Sequence, residues 1–156
     1  MKKGIPEGFH TLTPHLVVRG AADAIEFYRK AFGAEEIRRM PGPDGKLMHA
    51  ELNIGDSRLM LADEFPDWGA VGPESIGGSP VTLSLYVEDC DAMFNQAVGA
   101  GATVRMPLAD QFWGDRYGQL TDPFGHIWAV CTNIKELSSD EIKAAAAKAM
   151  GGAPCE

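Results

Sequence analysis

Hydrophobic and polar positions along the chain change period in a regular order. Residues 11–18 carry Leu and Val in a strand-like run, and the Arg19-Gly20 pair closes it. From residue 21 the period lengthens: Ile25, Tyr28, Ala31 and Phe32 form one helical stripe and Gly33 is a stop signal, so a helix is expected over 21–32. Glu35–Met40 reads as a short charged strand, Pro41–Gly45 as a turn, and Leu47–Ile54 as a cleanly alternating strand. Gly55-Asp56 then makes a tight hairpin into Arg58–Ala62. The order is β-α-β-β-β.

The same order recurs. Val81–Val87 reads as a strand, and Asp89 caps an expected helix over 90–100 with Met93, Ala97 and Ala100 on its buried face. Strands follow at Thr103–Met106, Tyr117–Thr121 and Ile127–Thr132, the last entered through an Asp122-Pro-Phe-Gly125 turn. Val18 maps onto Val87 and Met60 onto Ala129, each 69 residues on, so the chain holds one unit written twice. The expected fold class is α+β: two tandem βαβββ modules forming a curved, partly open mixed sheet around a cleft, plus a C-terminal helix. Residues 1–135 form one domain on this reading, with module one at 11–63, a linker at 64–80 and module two at 81–133. Ser138-Ser-Asp-Glu141 is a capping-box signature that opens an Ala-rich tail helix within 136–156, outside both repeats.

Strand parity sorts residues by face. With Gly55-Asp56 at the hairpin tip, Met48, Ala50, Leu52, Leu59 and Leu61 share an apolar face suited to lie under the helix. His49, Glu51, Asn53, Arg58 and Met60 share the other, joined by His15 from the first strand. In module two, Tyr86 and the last-strand positions Ile127, Ala129 and Cys131 fall on the corresponding open side. Whether the two modules pair within a chain or between chains is left open.

Composition narrows the function. The formal charge is −8 with no basic run, which argues against nucleic acid and anionic membranes as partners. Gly4–His10 holds no apolar stretch of signal-peptide length, and no apolar run reaches a membrane span, so a cytoplasmic protein is expected. The three cysteines include no C-x-x-C pair, consistent with a reducing compartment. Gly99-Ala-Gly101 follows a helix rather than a strand, and neither a phosphate-binding P-loop nor a G-x-S-x-G elbow occurs.

The doubled unit and the Asp122-Pro-Phe-Gly-His126 turn resemble the vicinal oxygen chelate superfamily, the group of glyoxalase I, extradiol dioxygenases and bleomycin-binding proteins. Five blocks are similar to its PhnB-like branch: Thr13-Pro-His-Leu-Val-Val-Arg19, Ala24-Ile-Glu-Phe-Tyr28, Met48-His-Ala-Glu-Leu52, Ala62-Asp-Glu-Phe-Pro66 and Phe112-Trp-Gly-Asp-Arg-Tyr-Gly118. The resemblance implies four metal-ligand positions, and these fall on Thr13, Met60, Thr82 and Ala129. None is a carboxylate or an imidazole, so no cofactor is expected there. His15, His49 and Glu51 are the alternative set for a displaced divalent metal.

Glu51 and His49 are the candidate catalytic residues; a carboxyl group among apolar walls is expected to titrate high and to serve as a general base. His15, Met60, Tyr86, Trp113, Arg116 and Tyr117 are candidate ligand-binding residues, with Trp113 stacking on a flat ligand and Arg116 gripping an anion. Asp63 and Glu64 read as solvated charges. The favoured function is small-molecule binding by a homodimer without the usual metal. The alternative is a lyase or isomerase using Glu51 or His49, with Arg116 stabilising negative charge.

Overall fold

A computed structural model describes residues 4–151, and it shows the doubled α+β architecture directly. Module one runs β1 (His15–Val18), α1 (Ala21–Phe32), β2 (Glu35–Pro41), β3 (Leu47–Ile54) and β4 (Ser57–Asp63). A connection holding the one-turn α2 (Pro73–Ile76) leads to module two: β5 (Thr82–Tyr86), α3 (Cys90–Ala100), β6 (Thr103–Asp110), β7 (Asp115–Thr121) and β8 (Ile127–Asn133). The chain continues into α4 (Ser139–Ala149). Each module is a four-stranded mixed sheet, ordered β1-β4-β3-β2 and β5-β8-β7-β6, with one parallel pair beside two antiparallel ones. No helix among the described residues is long and apolar enough to cross a membrane.

The hairpin register follows from its two-residue turn: Ile54 opposes Ser57, Asn53 opposes Arg58, Leu52 opposes Leu59 and Glu51 opposes Met60. Asp89 accepts a hydrogen bond from the Ala92 backbone N–H and starts α3. The capping box of α4 also forms, with Ser138 and Glu141 each satisfying the other's backbone N–H. Beyond residue 106, β6 extends to Asp110, longer than the periodicity indicated.

Burial departs from the expected stripes in an informative way. Seven of the twelve α1 residues are buried, including Ala21, Ala24 and Phe27 outside the expected stripe. The second module supplies a further covering surface: Phe124 meets Phe27 edge-on at 6.2 Å, and Trp128 of β8 packs on the stripe residues Tyr28 and Phe32, with ring centroids 5.3 and 4.7 Å away. Gln96 of α3 donates to the carbonyls of Lys30 and Ala31 at the end of α1. On α3 the fully buried residues are Cys90, Phe94 and Ala97, while Met93 and Ala100 are only partly covered. Met48 also departs from expectation, lying exposed at the open end of β3.

One apolar core therefore joins Leu16, Val18, Leu52 and Leu61 of the first module to Phe94, Leu120, Trp128 and Val130 of the second. Helix α1 packs on the first sheet, α3 on the second, and the two helices on each other, so both lie between the sheets. The other face of each sheet, with Glu51 and Met60 on one and Tyr117 and Ala129 on the other, is the side turned away from the shared core.

Candidate functional site

Each open face collects its own constellation. On module one, the parallel β1–β4 register sets His15 beside Met60, and the β3–β4 register sets Glu51 opposite Met60. A register shift in β2 after Glu36 brings Arg38, rather than Ile37, opposite Glu51. The Glu51 side chain is 4 % exposed, and its oxygens lie 2.6 Å from Arg38 Nη2 and 3.0 Å from Arg58 Nη1. His49 Nε2 is a further 3.2 Å neighbour. Solvent weakens the Arg38 contact, since that side chain is 66 % exposed, whereas Arg58 is 9 % exposed and its pair with Glu51 is shielded.

Electrostatics reverse the expectation for Glu51. Burial pushes its carboxyl up, but hydrogen bonds from Arg38 and His49 together with the charges of Arg38 and Arg58 outweigh burial and hold it below the usual range. It is a carboxylate at neutral pH with its acceptor positions engaged, not a proton-holding group. The ring of His15 is pushed down, first by burial and then by its neighbour His49, and stays neutral at pH 7.

On module two the organising residue is Asp115, which begins β7 two residues before the strand expected at Tyr117–Thr121. It is buried and accepts from Tyr86 Oη at 2.9 Å, Trp113 Nε1 at 3.0 Å and Asn133 Nδ2 at 2.8 Å. Those bonds gather the candidate aromatic residues: Trp113 meets Tyr117 edge-on at 5.6 Å, and the Tyr117 hydroxyl accepts from Gln119. Gly114, at φ 100°, lets the Trp113 loop pass close to the Lys135 carbonyl, and its own carbonyl accepts from the Ile134 and Lys135 N–H groups. The face is aromatic and hydrogen-bonded, with Cys131 buried beside it and its thiol pushed up to about 11 by burial and the Asp115 charge.

Arg116 lies on the opposite side of β7. Its guanidinium donates to Asp91 at 2.7 and 2.8 Å and to Asp110 at 3.0 Å, so it braces α3 against β6 and does not accompany Tyr117. Asp63 and Glu64 are buried, contrary to the expectation of solvated charges. Asp63 accepts from the Gly20, Ala21 and Leu47 N–H groups and caps α1, while Glu64 accepts from Gly72 and Arg19 and ties down the connection. In both cases the donors come from segments distant in sequence.

The four family metal positions do not suit a metal. Met60 stands beside His15, Ala129 stands beside Ser84 and is fully buried, Thr13 lies two residues before β1 begins, and Thr82 is the first residue of β5. A thioether, a methyl group and two hydroxyls supply neither the charge nor the basicity such a centre requires. In the alternative trio the rings of His15 and His49 are 6.0 Å apart, and Glu51 is committed to guanidinium groups. Among the described residues no group of three or more His, Cys, Asp or Glu is placed to hold an ion.

Comparison with known proteins agrees with this architecture. An uncharacterized protein of Mycobacterium tuberculosis is 53 % identical over 137 residues, covering 86 % of this chain and 81 % of that one. The solved structure of a PhnB protein from Bacillus cereus shares the fold at 19 % identity with a TM-score of 0.63, over 79 % of this chain and 99 % of that one. That of TnmS3, an antibiotic binding protein from Streptomyces, shares it at 22 % identity and a TM-score of 0.60, over 80 % and 95 %. Residues 8–130 match the Glyoxalase/Bleomycin resistance protein/Dioxygenase superfamily, and the chain belongs to that superfamily.

Proposed function

We propose that the protein binds a small aromatic molecule between two copies of itself, without a metal at the four family positions. The observation that carries this reading is the outward orientation of both open faces. The charged face of module one (His15, His49, Glu51, Arg58) and the aromatic face of module two (Tyr86, Trp113, Tyr117) point apart within one chain. A second copy related by a two-fold axis brings the two kinds of face together twice, making a concave site with an aromatic wall and a few convergent polar groups. The Streptomyces protein TnmS3, which has the same fold, is an antibiotic binding protein, and this supports a small organic molecule as the class of ligand. A cytoplasmic location belongs to this reading and is supported by the free thiols of Cys90 and Cys131.

A lyase or isomerase using Glu51 as base has less support, because that carboxylate is held ionised by two arginines and Arg116 stands on the other side of its sheet. The test has three parts. Sedimentation equilibrium is expected to give twice the 16.8 kDa chain mass. Anthraquinone-2-sulfonate, a flat aromatic anion, is expected to bind at micromolar concentration and about tenfold more weakly to Trp113→Leu. Metal analysis of untagged protein completes it: one ion per chain that disappears in Glu51→Ala overturns the metal-free reading, and a strictly monomeric protein overturns the two-copy site.

A further inference from the structure

The aromatic face of module two holds a negative charge that no cation answers. Asp115 is 5 % exposed, and its side-chain partners, Tyr86 Oη, Trp113 Nε1 and Asn133 Nδ2, are all neutral donors. It enters no ion pair among the described residues. Arg116, its neighbour in sequence, is engaged by Asp91 and Asp110 on the other side of β7, and Lys135 lies within electrostatic reach of Glu141. A buried charge is ordinarily paired. Nearby groups feel this one: the Tyr86 phenol is raised first by its hydrogen bond to Asp115, then by burial and by the Asp115 charge, and the Cys131 thiol is raised by burial first and by Asp115 second.

The same carboxylate arranges the rings around it. Tyr86 and Trp113 donate to one oxygen, Oδ2, at 2.9 and 3.0 Å, so phenol and indole converge there. Trp113 in turn meets Tyr117 edge-on at 5.6 Å. Tyr86 is still 65 % exposed, so its tip is fixed while its ring stays open to a ligand. Donating a proton to a carboxylate enriches both ring systems in π electrons, and an electron-rich ring face attracts a cation. It also engages the protons with which Tyr86 and Trp113 would otherwise hold an anion. On the wall of module one, Arg38 and Arg58 share the single charge of Glu51, so the positive charge around Glu51 directs a cation to the Asp115 side.

We propose that the occupant of the open-face site is an aromatic cation, a ring carrying an ammonium group, with that group seated on Tyr86, Trp113 and Tyr117 above Asp115. The opposite wall comes from the two-copy reading, on which this assignment rests; the sign of the ligand's charge and the residues that read it are new.

The test keeps one ring and reverses its charge. 2-(Trimethylammoniomethyl)anthraquinone and anthraquinone-2-sulfonate are each titrated calorimetrically into the full chain at low and high salt, with backbone amide spectra to locate them. The ammonium compound is expected to bind about tenfold more tightly than the sulfonate, with the gap narrowing in salt and shifts at residues 84–86 and 113–117. Asp115→Asn, whose side-chain oxygen still accepts from the rings, is expected to erase the preference. Tyr86→Leu, at an exposed position, is expected to reduce the ratio of affinities about threefold, and decides the matter if Asp115→Asn fails to fold. Equal affinity of the two compounds, tighter binding of the sulfonate, a preference that survives Asp115→Asn, an unchanged ratio in Tyr86→Leu, or shifts that bypass residues 84–86 and 113–117 each overturns the assignment while leaving the two-copy reading standing. Binding of neither compound overturns the reading and the assignment together.

Discussion

Tyr28 and Asp122, 94 residues apart in sequence, are joined by a 2.7 Å hydrogen bond from the phenol to the carboxylate inside the shared core. Asp122 also accepts from Trp128 Nε1 at 2.8 Å and from the backbone N–H groups of Phe124 and His126 at 2.9 and 3.0 Å. The last turn of module two is thereby held to the helix of module one. His126 adds a 2.9 Å contact to the Val17 carbonyl of β1. These contacts help fix the arrangement that turns both open faces outward.

Replacing Tyr28 by Phe removes one of four donors from a buried carboxylate, and is expected to cost about 1–3 kcal/mol at pH 7. Burial, then the charge of Asp122, holds the phenol well above its ordinary range, so the native state favours the protonated form. Its contribution is full below the ordinary tyrosine value of about 10 and declines as pH rises above it. Urea midpoints for wild type and Tyr28→Phe between pH 7 and 11 are expected to converge above pH about 10. A constant gap would refute this.

Glu51→Gln leaves Arg58 buried without its carboxylate and is expected to destabilise the fold by about 3–5 kcal/mol. The carboxyl titrates low in the native state, so its stabilisation is present above the ordinary glutamate value of about 4.3 and is lost as pH falls through the lower native value. Denaturation curves for wild type and variant should therefore approach each other in acid. An undiminished gap at pH 3 would count against the pairing.

His15 titrates low because of burial first and His49 second. In His49→Gln the second influence is gone, and the His15 midpoint in an NMR pH titration is expected to rise while remaining below about 6.5, the ordinary value. No movement would mean that the two rings, 6.0 Å apart, do not sense each other's charge.

Gly114→Ala places a methyl group against the Lys135 carbonyl at a φ of 100° that L-residues avoid. A loss of about 1–3 kcal/mol is expected, together with altered Trp113 fluorescence as the loop shifts. A variant with wild-type stability and emission would remove Gly114 from the account of how Trp113 is positioned.

The amino-acid sequence by itself determined the elements, the hairpin register and the repeat, because these rest on interactions within a few residues. Ile54 and Ser57 are forced opposite by a two-residue turn, and Asp89 caps the helix that begins beside it. The inward and outward parity of Leu52 and Glu51 follows from the pleat once the hairpin is set. Tertiary structure decided the rest. Phe27 lies outside the helical stripe read from the sequence, and the second module covers it through Phe124 while Trp128 docks on Phe32. Arg38 reaches Glu51 because β2 slips by one residue after Glu36, a shift that no alternation pattern announces. Asp63 and Glu64 are buried because the backbone N–H groups of Gly20 and Gly72 fold onto them, and Asp115 because the side chains of Tyr86 and Asn133 donate to it. A side chain's residue type limits what it can offer, but its charge state and partners are set by groups that only folding brings within hydrogen-bond distance.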